Sequence, residues 1–177
     1  VTGTTAGQPQ DARALAIFRD TVSPGEMKID GSFEGVIAYG NGRYAWPPSQ
    51  ISRFVGAGKH LYRYEVTGDA PHLGSVLDVE RYDATPEQAA VWVPERNRID
   101  EDAGCYVSLD GVPGLLDHIG SELCWLIVAD WTGTPHVPHL ELPANVKLAG
   151  VQYASFPNLG YDAIAVYSAD WLAGRHV

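Results

Sequence analysis

The segment Ser75-Val-Leu-Asp-Val-Glu80 ends an apolar run on two carboxylates spaced i, i+2. On a β-strand that spacing sends Asp78 and Glu80 to one face and Leu77 and Val79 to the other. Two neighbouring carboxyl groups repel when both are charged, so one pKa rises and the pair becomes an acid beside an anion. That is the equipment of glycosidic and other acid/base chemistry. The competing reading is a pair of acids that merely solvates a strand end, the commoner meaning of an isolated D-x-E. What decides between them is which other groups the fold brings to the same place.

The elements that would position this pair are short apolar runs rich in β-branched and aromatic residues, separated by Gly, Pro and Asp turns. Eight runs read as interior strands: Ala14-Phe18, Gly35-Gly40, His60-Val66, Ser75-Glu80, Gly104-Leu109, Cys124-Asp130, Leu148-Ala154 and Ile164-Ala169. Helix signals fall between them. Ser49 and Thr85 read as N-caps of Ser49-Gly56 and Thr85-Asn97, with Pro86 at a first helical position, and Val112-Ile119 is a shorter candidate. Strands alternating with crossovers predict a parallel sheet, and eight of them predict a closed (β/α) barrel, mostly parallel. An open doubly wound sheet is the second choice. Such barrels typically take about 250 residues, so a chain of 177 must shorten or omit several outer helices. The stretches Trp131-Lys147 and Ser155-Ala163, Pro- and Gly-rich without helical periodicity, are where helices would be missing.

Active-site groups of a barrel lie at the C-terminal ends of its strands. Strand one ends in Arg19-Asp20, strand four in Asp78-Val-Glu80, strand five in Ser108-Leu-Asp110 and strand six in Asp130-Trp131, while Tyr161-Asp162 precedes strand eight. Asp is also a common turn former, so each alone has a structural explanation. Aromatic residues crowd the same ends: Tyr39, Tyr44 and Trp46 after strand two, Tyr62 and Tyr64 in strand three, then Tyr82, Tyr106, Trp131 and Tyr153. Rings with an apolar face and a polar edge suit sugars, and an acidic cleft lined by them reads as a carbohydrate site.

Composition removes other classes. With 22 acidic against 12 basic residues the net charge is −10, unsuited to neutralising the phosphates of nucleic acid. No run approaches the roughly 20 apolar residues of a membrane helix. No G-x-G-x-x-G or Arg/Lys cluster is present to hold phosphates, and no cofactor is expected. Cys105 and Cys124 fall in buried-strand patterns and read as core thiols rather than a redox pair. His136-Val-Pro-His139 sits in a Pro-rich loop with nothing to fix its geometry, so no metal site is expected. The opening VTGTTAGQPQDA has neither the basic nor the apolar region of a signal peptide. Residues 1–12 read as a flexible arm or linker, and 13–177 as one barrel domain.

With these segments in order, the chain resembles the family 25 glycoside hydrolases, the lysozymes (N-acetylmuramidases) of bacteria and phages. Val-Leu-Asp78-Val-Glu80 is similar to the family's fourth-strand D-x-E, Gly104-Cys-Tyr106-Val-Ser108 to its G-x-Y-[ST], and Cys124-Trp-Leu-Ile-Val-Ala-Asp130 to its W-[LIV]-A segment. Gly150-Val-Gln152-Tyr153 resembles W-Q-Y, and Gly160-Tyr-Asp162-Ala-Ile-Ala-Val-Tyr167 the closing G-x-x-D-x-N-x-F. The resemblance covers about residues 60–170. It implies Glu80 as general acid, with Asp78, Asp162 and Asp20 in the cleft, and Tyr39, Tyr64, Tyr106, Asp130, Trp131 and Gln152 as substrate-binding residues.

Three positions depart from the family pattern: Val151 stands for its Trp, Ile164 for its Asn, and Tyr62-Arg63-Tyr64 for its Y-H-[FY]. Two functions follow as expectations. One is a hydrolase of the peptidoglycan glycan strand, acting at the bacterial cell wall, phage-encoded or secreted. The other is a non-catalytic wall-glycan-binding or structural domain of a phage particle or surface assembly, with other phage structural proteins as partners.

Overall fold

The eight apolar runs fold as eight strands, and a computed structural model describes them within residues 13–100 and 103–173. The expected arm at 1–12 lies outside the described residues. In chain order the strands are β1 (Ala16–Asp20), β2 (Gly35–Tyr39), β3 (His60–Glu65), β4 (Val76–Asp78), β5 (Gly104–Ser108), β6 (Cys124–Ala129), β7 (Val146–Phe156) and β8 (Tyr161–Val166). They close into a barrel in sequence order.

Neighbours from β1 to β7 pair in parallel, while β8 runs antiparallel to both β7 and β1. The barrel is thus mostly parallel, with one reversed strand at its closure. Connection length explains the reversal. β7 continues to Phe156 and β8 begins at Tyr161, whereas a parallel crossover takes a dozen or more residues. The four residues Pro157 to Gly160 allow only a hairpin, and Gly160, at φ 71°, supplies its left-handed position. The stretch Ser155-Ala163, expected as a helix-free crossover, is therefore mostly strand. β8 also starts at Tyr161 rather than Ile164, and β1 ends at Asp20 rather than Phe18, so Asp162 and Asp20 are strand residues.

Among the described residues four α-helices accompany the barrel: α1 (Pro48–Gly56), α2 (Pro86–Asp100), α3 (Val112–Ile119) and α4 (Ala169–Ala173). Among the described residues the connections β1–β2, β3–β4 and β6–β7 carry none, which is how so short a chain closes. Ser49 is not an N-cap. α1 is capped by Pro47 without a side-chain bond, and Pro48, pre-set in φ, opens the helix. Thr85 does cap α2: the Gln88 amide donates to Thr85 Oγ1 at 3.3 Å and the Thr85 amide to Gln88 Oε1 at 2.9 Å, a capping box.

Strand alternation divides the core into two layers. Outside the sheet, Leu77, Cys105, Val107 and Leu126 pack on Trp92, Val93 and Leu115 of α2 and α3. Both cysteines are free and buried in this layer, and the Cys105 thiol is pushed well up by its hydrogen bond with Cys124 and by burial. Inside the barrel, Phe18, Tyr62, Tyr64, Tyr106 and Ile164 point inward with Trp171 of α4. The Tyr62 and Trp171 rings stack at 3.8 Å, and Phe18 leans on both. Burying a side chain such as Phe18 contributes on the order of 2 kcal/mol. A Cβ at Gly35 would run into its ring, which is why β2 begins with glycine. This end of the barrel is an apolar plug. The polar groups collect at the other, where the parallel strands finish.

Candidate active site

β4 ends at Asp78, one turn of the pleat before Glu80. The Val79 amide still bonds to the Tyr106 carbonyl at 2.8 Å, so the chain stays extended one residue further and then leaves the sheet. The D-x-E pair is therefore divided by depth. Asp78 is 3% exposed and its Oδ1 has no hydrogen-bond partner, whereas Glu80 is exposed at the rim. Burial raises the Asp78 carboxyl well above the ordinary Asp value, with the charges of Glu80, Asp83 and Asp20 adding to it. Partial desolvation also raises Glu80, reinforced by Asp83 and Asp162 and opposed by the nearby Tyr106 hydroxyl.

Asp83 had no place in the sequence reading. It reaches the site because the chain turns back at once: the Asp83 amide bonds to the Glu80 carbonyl at 3.1 Å and the Ala84 amide to the Asp78 carbonyl at 3.0 Å. Tyr82 completes the turn at φ 81°, the one positive-φ residue other than glycine among the described residues. That conformation costs a bulky side chain roughly 1–2 kcal/mol. The signal available in sequence is a third acid, three residues after Glu80 and two before the α2 cap; an exposed Asp in a turn reads first as a turn former. The Asp83 carboxyl is raised by desolvation and held back by Arg43.

The floor is a network contributed by four strands. Gln152 Nε2 of β7 donates to Asp20 Oδ2 of β1 at 2.9 Å, and Tyr64 Oη of β3 donates to the same oxygen at 3.2 Å. Tyr106 Oη of β5 donates to Gln152 Oε1. Asp20 is 5% exposed, and burial followed by the Asp162 charge holds its pKa well up against the Tyr64 hydrogen bond. Tyr64 and Tyr106 are raised by burial first and Asp20 second, so both stay neutral donors. Tyr39, at the end of β2, packs its ring 5.3 Å from that of Tyr64 and is raised the same way.

Asp162 arrives from the opposite direction. Because β8 is reversed, its beginning lies level with the ends of the parallel strands, and Asp162 is the register partner of Asp20. Desolvation raises it, and a Ser155 hydrogen bond opposes. Thr21 Oγ1 donates to the Gly160 carbonyl at 2.5 Å, and Trp46 Nε1 to the Thr21 carbonyl at 2.9 Å, tying this corner together.

Of the residues singled out in the sequence, Asp20, Tyr39, Tyr64, Asp78, Glu80, Tyr106, Gln152 and Asp162 meet in one electrostatic and hydrogen-bonded group. Asp130 and Trp131 share the rim without joining it. Asp130 Oδ2 pairs with His136 Nε2 at 2.7 Å, and Thr132 Oγ1 lies 2.9 Å from His136 Nδ1. Asp130 is not among the charges that shift the carboxyls of the floor, and Trp131 is 53% exposed. Among the described residues no three His, Cys, Asp or Glu side chains are disposed to hold a metal ion, and no helix is long and apolar enough to cross a membrane.

This barrel, and the acids at one end of it, can be set beside known proteins. No family model and no curated protein matches the sequence. Three solved structures match the fold. A family GH25 lysozyme from Aspergillus fumigatus superposes with a TM-score of 0.57 at 14% identity, covering 86% of this chain and 94% of that one. The likeness is one of fold. An uncharacterized B. stearothermophilus protein gives 0.58 at 12% identity, and the Tat-secreted protein Rv2525c of Mycobacterium tuberculosis, solved with L-tartrate, gives 0.54 at 11%. Each of these two covers 89% of this chain and 98% of its own. The chain therefore shares its barrel fold with a GH25 lysozyme and with two other solved proteins.

Proposed function

We propose that this domain hydrolyses the glycan strand of peptidoglycan at the bacterial cell wall, as a lysozyme-like glycosidase, phage-encoded or secreted. The observation that carries the reading is the concentration of Asp20, Asp78, Glu80, Asp83 and Asp162 around one barrel end, every one with its pKa raised. Acids crowded in this way hold protons to higher pH than free carboxyls do, and a general acid for glycoside cleavage needs a proton available near neutrality.

Exposure divides the roles. Glu80 combines a raised pKa with access to solvent, so it protonates the departing glycosidic oxygen. Asp78 offers an unpartnered buried acceptor, Oδ1, suited to the N–H of a 2-acetamido group or to a water. Asp162, half-buried, supplies negative charge toward the oxocarbenium-like centre. Asp20 is anchored by Tyr64 and Gln152 and serves mainly to maintain the field in which the others titrate. Tyr39, Tyr64, Tyr106 and Gln152 border the sugar, with Asp130 and Trp131 further along the rim.

A second reading, glycan binding without turnover in a phage particle or surface assembly, is favoured by one feature. Ile164 is a fully buried apolar residue of the inner layer where the lysozyme family has Asn, which removes a polar group from the site. The experiment is release of reducing ends from purified peptidoglycan by the wild-type protein and by Glu80→Gln. Turnover by the wild type that is lost in the variant, with an unchanged fold, supports hydrolysis. Binding without any reducing ends over a day selects the second reading, and a fully active Glu80→Gln refutes the first.

A further inference from the structure

Tyr82 is the residue whose conformation and surroundings agree least. It lies between Glu80 and Asp83, at φ 81°, with 87% of its surface exposed. Left-handed backbone is ordinarily left to Gly, Asn or Asp, and a bulky residue persists there only when something compensates. Among the described residues its ring has no aromatic partner, and the Arg81 guanidinium lies 4.9 Å from the ring centroid. A surface cation–π contact of this kind is weak. Packing within the protein therefore does not explain why a tyrosine occupies this turn.

Glycine or asparagine would make the same turn without strain, since the turn is closed by backbone bonds alone, Asp83 amide to Glu80 carbonyl and Ala84 amide to Asp78 carbonyl. The side chain is thus unnecessary to the turn and unfavourable for it. Its position is informative. One residue separates it from the exposed acid Glu80 and two from Thr85, the cap of α2, and an open aromatic face with a hydroxyl edge is the chemistry that stacks on the C–H face of a pyranose.

We propose that Tyr82 is a substrate-contacting residue, a stacking platform for the sugar unit bound next to Glu80. This rests on the glycan-hydrolase reading and adds to it a specificity determinant on the turn that carries the general acid. The bound sugar covers the ring that the free protein leaves exposed, and that contact compensates for the backbone conformation. The prediction is unusual for an exposed loop residue: removing the ring should weaken binding while leaving the fold equally or more stable.

The test uses Tyr82→Asn, which keeps a residue tolerant of left-handed backbone, and Tyr82→Trp, which keeps a ring. Affinity for the tetrasaccharide of alternating N-acetylglucosamine and N-acetylmuramic acid is measured by calorimetry on catalytically disabled Glu80→Gln protein, with thermal midpoints recorded alongside. Tyr82→Asn should lose about tenfold in affinity, a change of 1.4 kcal/mol, with its midpoint unchanged or higher by about 2 °C. Tyr82→Trp should bind within about twofold of the parent, as ring stacking is retained. Equal binding by parent and Tyr82→Asn overturns the assignment of Tyr82 and leaves the glycan site standing. No binding by the parent overturns the glycan reading itself, and this inference with it.

Discussion

Asp20 and Asp162 are register partners across the antiparallel seam between β1 and β8, and the charge of Asp162 raises the pKa of Asp20. Two acids from opposite ends of the sequence are thus placed at one depth by backbone pairing, before any side-chain preference acts. Across the barrel on β4, Asp78 completes a polar layer laid over the aromatic plug. Such a layer opposes folding whenever its members are ionised.

The stability of the protein should consequently fall as pH rises. A carboxyl whose folded pKa is raised binds more protons in the folded than in the unfolded chain between its ordinary and its raised value, so folding free energy is lost across that window. Asp78→Asn removes one such group. Its thermal midpoint relative to wild type should rise steadily from pH 3 to pH 8; a difference that does not vary with pH contradicts the origin assigned to it.

Asp83 raises Glu80, so Asp83→Asn should lower the pKa of Glu80. A general acid works only while protonated, and activity is lost as pH climbs through its pKa. The alkaline limb of the kcat/KM profile should move to lower pH in Asp83→Asn, with little change on the acid side. An alkaline limb that stays in place would separate Asp83 from the titration of Glu80.

Gln152 holds both Asp20 and Tyr106. Gln152→Leu leaves the buried Tyr106 hydroxyl without its acceptor and the buried Asp20 carboxyl with Tyr64 as its one remaining donor, which costs about 1–3 kcal/mol. For a domain of this size each kcal/mol lowers the midpoint by about 2–4 °C. Urea unfolding should show the loss with an unaltered m-value, and wild-type stability in this variant would mean that the network is not closed in solution.

Thr85→Ala removes one half of the capping box of α2 and should cost about 1 kcal/mol. Since the cap lies two residues after Asp83, a separate readout matters: turnover per folded molecule should be unchanged. A large loss of activity at full folding would show that the cap also positions the acidic turn.

Much of this arrangement was legible in the chain. Eight apolar runs, the absence of helical periodicity in 131–147 and the order of Asp20, Asp78, Tyr106, Gln152 and Asp162 are local patterns, and local patterns survive folding. What escaped depends on the relation between segments. Asp162 was read as preceding a strand, because periodicity does not announce that β8 is reversed; only the four-residue turn does. Ser49 looked like a cap from its type, although Pro47 and Pro48 settle the helix start through their fixed φ. Asp83 is not legible without the fold-back at Tyr82, and the contact of Asp130 with His136, six residues on, depends on the loop between them.

The reversed strand also divides the assembly of the barrel in time. β7 and β8 meet through a tight turn and can pair as soon as both exist, whereas β1 and β8 join residues separated by nearly the whole chain. Contacts so distant along the sequence bear the largest loop-closure entropy and are the slow ones in folding. The seam between β1 and β8 is therefore where the cylinder is sewn shut last. Since Asp20 and Asp162 face each other across that stitch, the acidic cluster comes into being only when the final contacts do, and partly assembled chains lack it.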